Sequence, residues 1–170
     1  MKILLAGVLA MLIGNTSPET TQLGEFQVIG IEARTTNARE MTKEGVIGKQ
    51  WERLMKEGLL ARIPNKADQS IVALYTDYES NQDGAYTFIL GARVTSLASV
   101  PEGMVVRKVP AGRYARFTSE RGPVSRVVYE TWKRIWDAPL DRAYRTDFEL
   151  YDERAADPQN AQMSIFVGVR

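Results

Sequence analysis

The same order of elements runs through this chain twice, and that repetition restricts its fold more than any other feature. The first copy opens at Glu25 to Thr35, EFQVIGIEART, where apolar and polar residues alternate around Phe26, Val28, Ile29 and Ile31, the period of a strand. Thr42 to Gly58 then carries Val46, Ile47, Trp51, Leu54 and Met55 at the spacing of one helix face, with Gly58 as the stop. Ser70 to Tyr78, SIVALYTDY, and Ala85 to Val94, AYTFILGARV, flank the turn signal Ser80-Asn81-Gln82-Asp83-Gly84, which predicts an antiparallel hairpin. The second copy opens with Met104 to Thr118, extended and bent at Pro110-Ala111-Gly112. Pro123 to Trp136 places Val124, Val127, Val128, Thr131, Trp132 and Ile135 on one helix side. Strands at Thr146 to Asp152 and Gln162 to Val169 close it, around a polar turn at Ala155 to Asn160.

Short echoes support the repeat. WERLM at Trp51 answers WKRIW at Trp132, VALYTD at Val72 answers FELYDE at Phe148, and FILGARV at Phe88 answers IFVGVR at Ile165. A single half would leave a sheet face and edge bare, so the two must pack together. The prediction is one α+β domain over residues 25–170: duplicated β-α-β-β modules, an antiparallel sheet with two helices, and pseudo-twofold symmetry. The halves cover 25–95 and 103–170, joined through Ser96 to Glu102, and residues 18–24, polar from Thr20 to Gly24, are expected as a linker.

Composition narrows the chemistry. The chain has no cysteine and no histidine, which excludes thiol catalysis, Cys/His zinc sites and Ser-His-Asp triads. A formal charge of +1, from 22 basic and 21 acidic residues, gives no excess for nucleic acid. No phosphate loop, dinucleotide fingerprint or calcium-loop spacing occurs, so no metal and no cofactor is expected. At the start, Met1-Lys2, the apolar run ILLAGVLAMLI and the small, polar Gly14 to Ser17 read as a secretory signal over residues 1–17. The run falls short of the roughly 20 residues of a membrane span. The expected location is secreted or periplasmic, or cytoplasmic if the leader is not a signal.

Strand alternation singles out Glu149. It shares a face with Tyr151, while Phe148, Leu150 and Asp152 point the other way. The repeat matches Tyr151 with Tyr75 but Glu149 with Ala73, so one half offers a carboxylate where the other offers a methyl group. A carboxylate among rings either attracts an organic cation or, desolvated, works as a general acid or base. A solvated or Arg-paired structural acid is the plain alternative. Among the aromatics Trp51, Trp132, Trp136, Tyr75, Tyr86, Tyr114, Tyr129 and Phe148, the favoured ligand contacts are Tyr75 and Tyr151 by parity, Tyr114 after the bend, and Trp132 facing its sheet. Lys43, Lys49, Arg53 and Lys56 read as a solvated helix face.

From Gly24 to Arg170, five pieces in order carry a likeness: GEFQVIGIEART, the strand and glycine of YTFILGARV, EGMVVRKVPAGRYARF, the Trp132-x-x-x-Trp136 helix, and TDFELYD running to IFVGV. They resemble the GyrI-like effector-binding domain family, also found as the C-terminal domain of multidrug-sensing bacterial regulators. The resemblance implies two pseudo-symmetric modules with a pocket between them for hydrophobic, often cationic, organic molecules, and a glutamate at that pocket, here Glu149. Related proteins include hydrolases and binders of DNA gyrase. The chain shows no helix-turn-helix region, and its leader points away from promoters, so direct nucleic-acid binding is not expected. The expected function is binding of a small hydrophobic or cationic molecule through Glu149, Tyr151, Tyr75, Tyr114 and Trp132. The alternatives are a hydrolase with Glu149 as general base and a protein-interaction or co-regulatory module. Oligomeric state is not legible.

Overall fold

A computed structural model describes residues 18–170; the expected leader, residues 1–17, lies outside the described residues. Eight strands form one antiparallel sheet: β1 (Glu19–Leu23), β2 (Phe26–Thr35), β3 (Ile71–Thr76), β4 (Tyr86–Val94), β5 (Val105–Val109), β6 (Gly112–Thr118), β7 (Arg142–Tyr151) and β8 (Ser164–Val169). Their order across the sheet is β1-β6-β8-β7-β3-β4-β2-β5. Matching β1–β4 with β5–β8 makes that order read the same from both ends, which is the signature of a local twofold axis. At its centre β3 pairs with β7, with Ala73 opposite Glu149, Tyr75 opposite Asp147 and Ile71 opposite Tyr151. Ala73 and Glu149 are also equivalent in the repeat, so the axis passes between these two residues.

The expected linker is a strand. Glu19-Thr20-Thr21-Gln22-Leu23 pairs along β6, from Glu19 opposite Arg116 to Leu23 opposite Gly112. Its β-branched threonines suit an edge strand, which needs no continuous apolar face. The extended segment Met104 to Thr118 is likewise two strands, broken at Pro110-Ala111. Each half therefore begins with one strand more than the sequence reading gave it, and those first strands are exchanged. β1 precedes β2 but pairs with β6, and β5 precedes β6 but pairs with β2. Gly24-Glu25 and Pro110-Ala111 thus connect strands at opposite ends of the sheet order. Three Cα–Cα steps span at most about 11 Å, so the sheet coils until its two ends approach one another. Where β2 and β4 run closest, Gly30 lies opposite Gly91, and a Cβ on Gly91 would stand 1.9 Å from the Ile29 carbonyl oxygen.

The coil separates two cores. Its inner face carries Val28, Val72, Leu74, Ile89, Phe148 and Phe166, with Phe148 and Phe166 stacked at 4.6 Å. The outer face carries Ile31, Ala73, Phe88, Leu90, Phe117 and Ile165, and takes the helices. Four α-helices are present among the described residues: α1 (Asn37–Glu40), α2 (Ile47–Lys56), α3 (Leu59–Arg62) and α4 (Val124–Asp137). The helix predicted from Thr42 starts at Ile47, because the Glu40 carboxylate accepts from the backbone N–H groups of Val46 (2.9 Å) and Ile47 (3.1 Å) and satisfies that end. Gly58, at φ +59°, ends it as expected. On α4, Val127, Thr131, Trp132 and Ile135 are buried, one stripe at helical spacing.

Candidate binding site

The β3–β7 pair sets the floor of the site. Odd-numbered residues of both strands face the helices, so Glu149 and Tyr151 from β7 share that side with Ala73 and Tyr75 from β3. Glu149 is 1% exposed. Its Oε1 accepts from the Tyr75 hydroxyl at 2.8 Å and from Trp132 Nε1 at 2.6 Å, and its Oε2 accepts from the Tyr151 hydroxyl at 2.6 Å. Among the described residues, no lysine or arginine forms a salt bridge with it. Burial pushes its carboxyl up from the ordinary value, and the three donors pull it part of the way back. Burial and the neighbouring carboxylate hold both tyrosine hydroxyls well above a normal phenol, so they remain donors.

The symmetry extends to the rings. Trp132 meets Tyr75 edge-on at 5.2 Å, and its counterpart Trp51 meets Tyr151 edge-on at 4.9 Å. α2 supplies Trp51 and α4 supplies Trp132, and a cavity of about 1160 Å³ opens between these helices. Tyr75, Tyr151 and the two tryptophans line it, with Glu149 directly behind them. Its rim is apolar and exposed, formed by Met41, Met55, Tyr129 and Trp136.

A second acid lies two residues along β7. Asp147 is fully buried, and its Oδ2 accepts from Arg142 Nη2 at 2.7 Å and from the Tyr78 hydroxyl at 2.6 Å. Its Oδ1 accepts from the Gly168 N–H at 2.9 Å. Arg142 reaches it because β7 bulges between Arg142 and Asp147, with Tyr144 at φ +48°. Burial lowers the Arg142 guanidinium's proton affinity, but the Asp147 carboxylate, with Tyr78 and Tyr144, more than restores it.

The model of the integron-associated effector-binding protein family matches residues 19–169. This chain belongs to that family. The match begins with β1, so the exchanged edge strand lies inside the family unit. The GyrI-like resemblance holds with it, and binding of small molecules is the general property of this effector-binding family. The Bacillus subtilis (strain 168) protein YobU is 40% identical over 153 residues, covering 88% of this chain and 96% of its own. The integron cassette protein VCH_CASS2 from the mobile metagenome of Vibrio cholerae is 33% identical with a TM-score of 0.71, over 91% of this chain and 97% of its own. SAV2435, solved bound to tetraphenylphosphonium, has a TM-score of 0.72 at 19% identity, over 90% of this chain and 93% of its own, and shares the fold.

In this effector-binding fold, four of the five residues singled out from sequence meet at one point. Glu149, Tyr151, Tyr75 and Trp132 form a single hydrogen-bonded cluster. Tyr114 does not join them. It lies on the inner face of the coil beside Phe148, 5.8 Å between rings, and donates to the Pro110 carbonyl at 2.8 Å. Ala115 and Phe117 take the helix-facing positions of β6, so Tyr114 must face away. Phe148 shares that inner face. Asp147, Arg142 and Tyr78 went unnoticed in the sequence. Asp147 has the parity of Glu149 and Tyr151, and that signal was available. Among the described residues, no cluster of three acidic groups could hold a metal ion.

Proposed function

We propose that this effector-binding protein holds apolar organic cations in the cavity between α2 and α4, with Glu149 as the countercharge. The observation carrying this reading is a fully buried carboxylate behind a floor of aromatic rings, satisfied by three neutral donors and matched by no cation among the described residues. Desolvating an ion costs several kcal/mol even after relaxation, and three hydrogen bonds offset only part of that cost while leaving the negative charge in place. A cation resting on the rings meets that charge through low-dielectric surroundings, and the ring faces add attraction of their own. The flexible methionines and exposed rings at the rim suit apolar substituents of varied shape. The family's effector binding and the tetraphenylphosphonium bound by SAV2435 support the same reading.

Titration of tetraphenylphosphonium against the wild type and Glu149→Gln tests it. The substitution should weaken binding at least about 30-fold, roughly the 2 kcal/mol of a desolvated cation contact. Equal affinities would remove Glu149 from recognition. The geometry favours holding over hydrolysis. Tyr75 and Trp132 occupy both acceptor positions of Oε1, and Oε2 keeps one free beside Tyr151, which is poor provision for a base that must take a proton from water.

A further inference from the structure

Among the described residues, Arg142 is the one basic residue lining the cavity. It is 6% exposed, and its Nη2 donates to Asp147. Its Nε and Nη1 are shielded from solvent and find no acceptor among the described residues. A guanidinium carries five N–H donors and no acceptor, and buried donors are nearly always paired. Asp147 keeps one acceptor position on Oδ1 beside the Gly168 N–H, but Nε and Nη1 make no bond to it. The aromatic flanks supply no acceptor: Tyr144 lies 4.5 Å from the guanidinium carbon and Trp132 5.9 Å, contacts that attract the cation's face but accept no hydrogen bond in its plane. Arg142 lines the cavity, and a turn of its guanidinium toward that space would let a cavity occupant supply the missing acceptor.

Trp132 fixes where that acceptor lies relative to the cation. Its Nε1 donates to Glu149, and its ring stands beside Arg142. One indole thus separates the acidic point from the unmet donors, a spacing that a single small organic molecule bridges. We propose that the ligand is an apolar organic cation that also carries a carboxylate or carbonyl oxygen, its cationic end facing Glu149 and its oxygen taking the free N–H groups of Arg142. This rests on the cavity being the ligand site, and it narrows the class from lipophilic cations in general to amphoteric or acceptor-bearing ones. The Arg142–Asp147 pair is neutral as a unit, so the added oxygen meets donors rather than a second negative charge.

Two triphenylphosphonium probes test the assignment: the pentyl compound and its 4-carboxybutyl counterpart, equal in chain length and differing in the terminal oxygens. Wild-type protein should prefer the carboxylated probe by about tenfold or more, the effect of one charge-assisted hydrogen bond. In Arg142→Lys, which keeps an ammonium for Asp147 but loses the fork of extra donors, the preference should fall below about twofold. A second readout needs no variant: the Arg142 guanidinium ¹⁵N–H resonances should shift with the carboxylated probe and stay in place with the pentyl one. Equal wild-type affinities, an undiminished preference in Arg142→Lys, or unmoved resonances each overturn the proposal. Binding of the pentyl probe without preference overturns it alone, whereas failure of both probes to bind overturns the cation reading of the cavity as well.

Discussion

β3 and β7 occupy equivalent places beside the local axis, and they face the same helices with opposite chemistry. β3 presents Ile71, Ala73 and Tyr75; β7 presents Asp147, Glu149 and Tyr151. Only the tyrosine survives in both. The two β7 acids then differ from each other. Asp147 comes with its own arginine on the same strand, so its charge is cancelled where it is buried. Glu149 comes with tyrosines and a tryptophan, so its charge is stabilised but not cancelled. Equivalent backbone thus supports an apolar position, an internal ion pair and an open charge within six residues. The open charge is the one that calls for something from outside the chain.

Several substitutions would break or sharpen this contrast. The largest effect should come from Asp147→Ala, which leaves Arg142 buried without its counterion; chemical denaturation should show a loss of about 3–5 kcal/mol. Moving the open charge across the axis is the next test. Glu149→Ala should cost at least the roughly 2 kcal/mol of tetraphenylphosphonium affinity lost in Glu149→Gln. Adding Ala73→Glu should return most of it, because Tyr75 and Tyr151 flank both positions and Trp51 stands where Trp132 does on the other side. Calorimetric titration of the single and double variants reads both steps.

The same charge gives opposite pH trends to stability and binding. Burial raises the folded-state pKa of Glu149 above its unfolded value. Its folded form therefore binds more protons between those two values, and ligand-free stability falls as pH rises through that window. Glu149→Gln should lack this fall and melt about 2–4 °C higher above the window for each kcal/mol recovered. Affinity for a permanent cation should run the other way and decline as pH drops through it. The smallest effects belong to Tyr75→Phe and Tyr151→Phe. Each removes one donor to the buried carboxylate and should lower folding stability in chemical denaturation by about 1.5 kcal/mol, equally for both if the floor is symmetric in energy as well as in geometry.

Much of this architecture is legible in the sequence because strands and helices write their periods into it. The alternation in FELYD placed Glu149 with Tyr151, and the echo in VALYTD supplied Tyr75 and the exceptional Ala73. What stayed hidden has physical reasons. An edge strand buries little, so ETTQL carries no apolar pattern to separate it from a linker. A proline break between two strands looks like a bend in one, and only the exchanged pairing reveals the difference. Tyr114 was assigned by its nearness to that bend, although Ala115 and Phe117 already fixed the alternation against it. The Arg142–Asp147 pair depends on a bulge, which brings together residues that regular spacing keeps apart.

The position of Glu149 beside the axis has an evolutionary corollary. In a dimer of two identical half-length chains, a residue on the axis faces its own copy, so a glutamate there would face a second glutamate and an alanine a second alanine. A lone carboxylate at that point requires halves that are no longer identical, which one chain holding both copies allows. The exchanged strands β1 and β5 are the arrangement expected of such an ancestral pair, each partner lending its first strand to the other. Holding both halves in one chain thus does more than tether them: it permits an unpaired charge at the centre of the molecule.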